Sequence, residues 1–258
     1  PYPVGLVWFR RDLRAHDHAA LYHALTQCQQ VHCVFVFDRD ILDTLPRVDR
    51  RVAFIHESLV ELDDTLRALS QHRGAGLIAL HAVASEAVPA LANELGVQAV
   101  FTNHDDEPQA LARDAEVRSR LAAMGKAFHT FKDHTAFERG AVLTQTGTPY
   151  SVFTPYKNAW LKKIDPFYLQ SYNVARHAHR LAPRPPVHCN AVPTLVDMGF
   201  ENSALSALKI PSGERGGQRL FDDFLARIDR YDDTRNFPAI KGPSYLSVHL
   251  RFGTISPR

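Results

Sequence analysis

The chain has 258 residues, which at roughly 150 residues per domain is enough for one large domain, or for one domain and part of a second. Its composition of 45% hydrophobic and 22% charged residues is that of a globular protein, which excludes an intrinsically disordered chain, a collagen-like repeat and a coiled coil. The net charge of +2, from 30 basic and 28 acidic residues, restricts any contact with nucleic acid to a local patch.

Five short runs rich in β-branched and aromatic residues predict buried strands in the first half of the chain, at 4–9, 31–37, 77–80, 98–102 and 127–131. Helices are predicted between them. The clearest has an apolar stripe at steps of three and four, formed by Val48, Val52, Ile55, Leu59, Leu62, Leu66 and Leu69. Two more, at 85–95 and 108–124, end near Gly96 and Gly125, where a left-handed cap forms easily.

Apolar strands that alternate with helices predict an α/β fold, in which a five-stranded, doubly wound parallel sheet is covered on both faces. We therefore assign residues 1–132 to one α/β domain. Ligands of such sheets bind at the carboxyl ends of the strands, which here are the loops at 10–14, 38–40, 81–84 and 103–107. The first loop lacks a glycine-rich phosphate motif, which argues against a standard dinucleotide-binding or P-loop domain.

The second half of the chain predicts fewer regular elements. Residues 133–200 are rich in proline and are predicted to connect two domains, with one short helix that Thr154 caps and Pro155 begins. In residues 201–258 a second helix is expected at 244–252, after an amphipathic helix formed by Leu220, Phe221, Phe224, Leu225 and Ile228. These few elements have little to pack against, so we expect them to be the truncated start of a second domain.

Targeting and redox signals are absent from the sequence. No apolar run approaches the roughly 20 residues that cross a bilayer, and no secretory signal precedes the first strand. The three cysteines, Cys28, Cys33 and Cys189, have no metal-type spacing, and their odd number argues against a disulfide framework. We expect a cytoplasmic protein with no membrane contact and no metal site, and we take it to be a monomer.

The first candidate site is the segment WFRRDLRAHD at 8–17, which leaves the first strand. One interpretation is a turn in which Arg10, Arg11 and Arg14 pair with Asp12 and Asp17 in bridges that contribute little to stability. The other is a loop that flanks a ligand or docks a second domain at the carboxyl edge of the sheet.

The second candidate site lies between Tyr231 and Ser247. A Gly-Pro pair followed by Ser244-x-x-Ser247 at a helix start presents free backbone N–H groups and two hydroxyls, which suit a phosphate. The alternative is that Ser244 only caps the helix. Arg235 either bridges to a carboxylate or reaches a DNA phosphate.

Three ordered motifs resemble the DNA photolyase and cryptochrome family. They are WFRRDLRAHD at 8–17, YSVFTPYKNAW at 150–160, and the pattern Y-x-x-x-R-x-x-P-x-x-x-G-x-S-x-L-S-x-H-L-R-F-G-x-I-S-P-R at 231–258. Their joint occurrence in the family's order and approximate spacing spans the chain, which makes the resemblance more specific than any single motif.

The resemblance implies an amino-terminal α/β domain that often holds an antenna pigment, a long linker, and a helical domain that binds FAD. Photolyases of the family use photoexcited, fully reduced flavin to donate an electron to a cyclobutane pyrimidine dimer in damaged DNA, split the dimer and recover the electron. The family motif matches Tyr231 to a flavin-contacting tyrosine and Arg235 to a DNA-contacting arginine. The segment that holds the FAD phosphates is matched by Pro243, Ser244, Tyr245, Leu246 and Ser247. Pro243 replaces the threonine often found there and offers neither a hydroxyl nor an N–H.

The resemblance also places an antenna site on the loop after the fourth strand. Folate-binding members carry an Asn-Glu pair at the positions that match Gln109 and Ala110, so the carboxylate is missing here and folate is disfavoured. Asn103, Asp105 and Glu107 are more similar to the loop of deazaflavin-binding or antenna-free relatives.

Two other functions stay open. A cryptochrome, which is a flavin photoreceptor without repair activity, shares all three motifs. A nucleotide-binding α/β module of the universal-stress type needs only residues 1–132, but it leaves 133–258 unexplained and favours a glycine-rich loop. No catalytic residue is expected within the chain, Trp8 and Trp160 are interpreted as packing residues, and the 258 residues alone are expected to be inactive and to bind little or no FAD.

Overall fold

The structure is a computed structural model that describes residues 1–71, 73–202, 205 and 210–258. Five parallel strands form one sheet in the order β3-β2-β1-β4-β5. The strands are β1 (Tyr2–Phe9), β2 (Cys28–Asp38), β3 (Leu77–Ala82), β4 (Ala99–Asn103) and β5 (Ala127–Phe131). The predicted five-stranded, doubly wound parallel sheet is therefore confirmed.

Helices cover both faces of this sheet. Val7 and Phe9 of β1 share one apolar cluster with α1 (Ala19–Gln27) and α3 (Arg50–Leu69). Leu6 and Trp8 point to the other face, towards α4 (Ala84–Glu94) and α5 (Pro108–Ala123). This alternation follows the two-residue period of a strand. A short α2 (Arg39–Leu42) follows β2.

The predicted ends of these helices are largely right. Gly96 and Gly125 follow α4 and α5 with φ of +62° and +69°, as expected of left-handed caps. The apolar stripe of α3 is buried at Val52, Leu59, Leu62 and Leu66. Val48, in contrast, lies before α3 begins and is exposed, which corrects its place in the stripe.

The helix predicted at the YSVFTPYKNAW motif exists, but its start differs from the prediction. This helix, α6 (Phe153–Lys163), begins one residue before Thr154, and Val152 occupies the capping position without a side-chain bond. Pro155 still falls in the first turn, where its missing N–H has no intrahelical partner. Both tryptophans pack as predicted, since Trp8 is buried and Trp160 is half-buried, edge-on to Phe137 at 5.5 Å.

Residues 174–200 pack against the sheet domain. A 3-10 helix, Ala175–Arg180, is followed by a backbone bond from Ala182 N to Val31 O at 2.8 Å beside β2. The side chains that this segment adds to the apolar cluster of α1 and α3 are Val174, Ala178, Leu181, Val192, Met198 and Phe200. Part of the predicted connection thus closes one face of the α/β core.

Three further helices follow, namely α7 (Gly213–Leu225), α8 (Tyr231–Thr234) and α9 (Ser247–Phe252). The amphipathic helix predicted around Leu220 is α7, but Ile228 lies outside it in a 3-10 turn. The amino end of α7 is held by α3, because Gly213 N donates to Ser58 Oγ at 3.0 Å and Arg215 N donates to Glu61 Oε1 at 2.8 Å. Of the helices in the described ranges, none is long and apolar enough to cross a membrane.

Candidate functional site

The charged side chains of segment 8–17 form their ion pairs with residues outside the segment. Each arginine pairs with a carboxylate of another element: Arg10 with Asp114, Arg11 with Asp105 at 3.1 Å, and Arg14 with Asp133 at 2.7 Å. The interpretation in which these arginines pair with Asp12 and Asp17 is therefore wrong. The loops that follow neighbouring parallel strands come together at one edge, which brings distant acids closer to each arginine than the acids of its own turn.

Segment 8–17 docks onto α9, as one of the two interpretations expected. Leu13 N donates to Phe252 O at 3.0 Å, and Arg14 Nη1 donates to Gly253 O at 3.1 Å. Gly253 ends α9 with φ +62°, and a Cβ there would lie 2.5 Å from Asp12 Cα. The two chain segments touch through their backbones.

Asp12 and His18 form a buried pair beneath this loop. Nε2 of His18 lies 3.0 Å from the Asp12 carboxylate, and the Asn103 amide donates to the same carboxylate at 2.7 Å. Burial alone would raise the pKa of Asp12, but its contact and hydrogen bond with His18 hold it well below its usual range. His18 Nδ1 also caps α1 by accepting from Leu21 N at 3.0 Å. His is not a usual capping residue, so no sequence rule pointed to it.

Two arginine side chains, Arg10 and Arg113, lie near the carboxyl ends of β1 and β4, where the strand order reverses. The guanidinium groups of Arg10 and Arg113 lie 4.9 and 5.2 Å from the ring centroid of Trp8. Arg10 also donates to the carbonyl of Asn103, and Arg113 pairs with Asp38 at 3.4 Å. Burial lowers the pKa of Arg10. Doubly wound folds bind ligands at this point, and here the protein's own side chains line it.

The predicted antenna residues lie at one edge of the sheet, but two of them are buried and bonded to other side chains of the protein. Asn103 is buried in the Asp12 pair, and Asp105 is buried against Arg11. Glu107 is exposed and pairs with Arg11 at 3.0 Å and with Arg251 at 2.6 Å. Gln109 is exposed on the first turn of α5.

The predicted flavin-contacting and DNA-contacting residues share α8 and its end. The Tyr231 ring is 38% exposed and packs edge-on against Phe224 at 5.7 Å. The Arg235 guanidinium lies 5.7 Å from the Tyr231 ring centroid and pairs with Asp232 at 3.1 Å. Arg235 thus bridges to a carboxylate and remains accessible at the surface.

The segment that follows is held in place by α7 and α8. A Cβ on Gly242 would lie 2.8 Å from Thr234 O, so only glycine allows this close approach to the end of α8. Arg227, just after α7, donates to the Pro243 carbonyl at 2.8 Å. Lys241 pairs with Asp223 at 2.8 Å.

The start of α9 presents unpaired donors. Among the residues that the structure describes, no acceptor lies within hydrogen-bond distance of the backbone N–H of Ser247, Val248 or His249. Ser244 does not cap this helix, which corrects that alternative: its hydroxyl accepts only from Leu246 N, at 3.4 Å, and α9 begins at Ser247. Tyr245, between the two serines, is exposed with φ +59°. A left-handed tyrosine is strained, and here it turns the chain into α9.

His249 anchors α9 from the inside. It is fully buried, with its ring edge-on to Phe54 of α3 at 5.3 Å and its Nδ1 2.7 Å from Thr254 Oγ1. Burial lowers its pKa to about 4, so the ring is neutral near pH 7. Leu246 is also buried, while Ser247 is exposed.

Comparisons with known proteins agree with this architecture. A family model described as DNA photolyase matches residues 5–178. The chain is 32% identical over 256 residues to a deoxyribodipyrimidine photo-lyase of Synechococcus sp., covering 98% of this chain and 52% of that protein. It is 32% identical over 259 residues to an uncharacterized 31.6 kDa protein of another Synechococcus strain, covering 100% of this chain and 87% of that protein.

Two solved structures resemble the chain over nearly its whole length. A bacterial class III photolyase from Agrobacterium tumefaciens aligns with a TM-score of 0.81 at 26% identity, covering 100% of this chain and 52% of that one. A cryptochrome of Synechocystis sp. aligns with a TM-score of 0.78 at 20% identity, covering 99% and 54%, a likeness of fold alone. The chain spans about half the length of the photolyases that it matches.

Proposed function

The chain belongs to the DNA photolyase family, and from that we propose that the protein carrying it is an FAD-dependent, light-driven DNA repair enzyme that splits cyclobutane pyrimidine dimers. The observation that carries the proposal is a similarity spanning 98% of this chain to a protein named deoxyribodipyrimidine photo-lyase. The substrate in this proposal is damaged DNA, with Arg235 as one phosphate contact.

The geometry of residues 231–249 fits the FAD assignment. The N–H groups of Ser247, Val248 and His249, which have no hydrogen-bond acceptor among the described residues, form a donor set for a diphosphate together with the hydroxyls of Ser244 and Ser247. The exposed ring of Tyr231 offers a surface for the flavin moiety. Bound FAD would supply the photoexcited electron, while these residues hold and orient it.

We also propose that an antenna pigment binds at the edge of the sheet formed by residues 103–109. Glu107 and Gln109 are exposed and accessible to a pigment, whereas Asn103 and Asp105 would shape the site from inside. A deazaflavin suits this edge better than folate, since the residue after Gln109 is Ala110 and brings no carboxylate.

Loss of the two serine hydroxyls should weaken the hold on FAD. In the complete gene product, we expect Ser244→Ala with Ser247→Ala to lower the FAD content that survives gel filtration, because two phosphate donors are removed. The matched control is Ser119→Ala with Ser151→Ala, two exposed serines outside this segment. An unchanged FAD content in the first double variant would contradict the assignment.

The test of the activity is light-dependent loss of cyclobutane dimers from irradiated oligothymidine, measured by chromatography against a dark control. It uses the complete gene product with reduced flavin. We expect dimers to disappear only under blue light. Bound flavin without repair would favour a photoreceptor or an enzyme for another lesion, and a protein that binds no flavin would favour the nucleotide-binding module.

A further inference from the structure

Four charged side chains from distant parts of the chain meet in one buried cluster. Arg14 and Asp17 come from the loop after β1, Asp133 follows β5, and Arg258 follows α9. Their side chains are at most 4% exposed. We call these four residues the charge cluster.

Charges of opposite sign alternate in the charge cluster. Asp133 lies 2.7 Å from Arg14 Nη2 and 2.8 Å from Arg258 Nη2, through its two different oxygens. Asp17 lies 3.0 Å from Arg258 Nε. The sum is two positive and two negative charges, so no net charge is buried. Burial would raise the pKa of Asp133, but the charges of Arg14 and Arg258 lower it.

Backbone groups complete the coordination. Ala19 N donates to Asp133 at 3.1 Å, and Tyr172 N donates to Asp17 at 2.7 Å. Arg14 Nη2 also donates to the Asp17 carbonyl at 2.7 Å. The charge cluster therefore ties α1, the segment before the 3-10 helix and the residues after α9 to one point.

Apolar residues of the same volume often stabilise a protein as well as a buried ion network does, but separating the partners of such a network is costly because it leaves a buried charge unpaired. Through Arg258, the charge cluster holds residues 253–258 against the α/β domain. Gly253 touches the loop after β1 through its backbone, and Arg14 bonds its carbonyl at 3.1 Å. Arg14 thus contacts both Asp133 of the charge cluster and the backbone that ends α9, which connects the cluster to the carboxyl end of the helix.

The other end of α9 is the phosphate-facing end of the proposed flavin site. The helix has six residues and spans only about 9 Å, so its two ends lie close together. We infer that Arg14, Asp17, Asp133 and Arg258 are positioning residues that set where the start of α9 presents its N–H groups, although none of them belongs to the donor set. This inference rests on the proposed FAD site.

The test substitutes Asp133→Asn in the complete gene product and measures two quantities. The first is amide hydrogen exchange without flavin, where we expect the hydrogen-bonded amides of residues 250–254 to exchange at least about tenfold faster while β1 and β2 stay protected. The second is FAD affinity from flavin fluorescence, which we expect to fall by roughly tenfold or more, as for other residues that orient a binding group indirectly. Asp133→Glu, which keeps the charge, should recover part of both.

The matched control is Asp106→Asn, which breaks the exposed pair with Arg139 and should change neither quantity. If Asp133→Asn does not fold, Arg258→Lys keeps the charge, removes the two-nitrogen contact, and should shift both quantities in the same direction.

Unchanged exchange in α9, or acceleration spread equally over the sheet, would overturn the inference. So would normal FAD affinity in a variant whose α9 is loosened. A wild-type protein that binds no FAD would refute the proposed function, and with it the flavin role of the cluster, while the flavin-free exchange still shows whether the cluster positions α9.

Discussion

Gly253 is a position where one missing methyl group permits a contact between two parts of the chain. Its φ of +62° is shared with Gly96, but their surroundings differ. A Cβ on Gly253 would lie 2.5 Å from Asp12 Cα, whereas a Cβ on Gly96 would meet nothing within 4 Å. Substituting each glycine therefore separates the cost of a left-handed backbone from the cost of a steric clash.

We expect Gly96→Ala to lower the free energy of unfolding by about 1 kcal/mol, the cost of a left-handed alanine. Gly253→Ala should lower it by about 3 kcal/mol or more, because the loop after β1 must also move. Urea unfolding followed by circular dichroism measures both. Equal losses in the two variants would show that the contact with Asp12 contributes nothing.

His249 predicts a pH dependence of stability. Its pKa is about 4 in the folded chain and near 6.5 when exposed, so the unfolded state binds more protons between these values. Its contribution is therefore complete above pH 6.5 and is lost as the pH falls towards 4. We expect the urea midpoint to drop between pH 7.5 and 5.0, and to drop less in His249→Gln.

The control for this experiment is His179→Gln, an exposed histidine whose substitution should leave the pH dependence unchanged. Identical pH profiles for His249→Gln and the wild type would show that His249 does not titrate as its burial requires.

At the scale of elements, α7 buries its glycines most deeply and only part of its apolar pattern, since Leu220 and Phe224 are half-buried. Its apolar residues Phe221 and Leu225 are exposed, while Gly213, Gly216 and Gly217 are buried. The absence of side chains lets the helix approach its neighbours closely: a Cβ on Gly216 would lie 2.8 Å from the Pro211 backbone.

Gly216→Ala tests this packing. In an exposed helix, replacing glycine by alanine stabilises by about 1 kcal/mol. Here we expect a loss of about 1–3 kcal/mol from overpacking against Pro211. Arg219→Ala, on the exposed side of α7, should stay within about 0.5 kcal/mol of the wild type in the same urea titration. A stabilised Gly216→Ala would contradict the close approach.

At the scale of the whole molecule, the predicted connection at 133–200 contributes to the α/β core. Six apolar side chains of 174–200 join the cluster of α1 and α3, and Leu181 pairs with Val31 beside β2. The proline-rich composition predicted a segment that connects two domains. In the structure this segment also covers apolar surface of α1 and α3.

Removing this segment should expose that surface. We expect residues 1–132 alone to unfold more than about 5 °C below residues 1–202 and to bind a hydrophobic dye, because the faces of α1 and α3 lose their cover. Differential scanning fluorimetry with dye titration compares the two chains. Equal unfolding temperatures would show that residues 174–200 do not stabilise the α/β core.

The sequence by itself determined the elements that depend on local patterns. Continuous apolar runs separated by helical patterns predicted all five strands and the parallel sheet, because a strand that is apolar throughout must bury both its faces. Glycine positions predicted the ends of α4 and α5. The three motifs predicted the family, and they placed Tyr231, Ser244 and Ser247 in one segment.

Only the tertiary structure decided the partners of buried charges and the inward face of α7. Arg14, Asp133 and Arg258 are far apart in the chain, and no local period relates them. A buried ion finds its partner wherever the packed elements place one, so the pairing is a property of the assembled fold. For the same reason the glycine face of α7 became its inner face: the space left by α3 and α9, and not the amphipathic pattern, decided which side could approach.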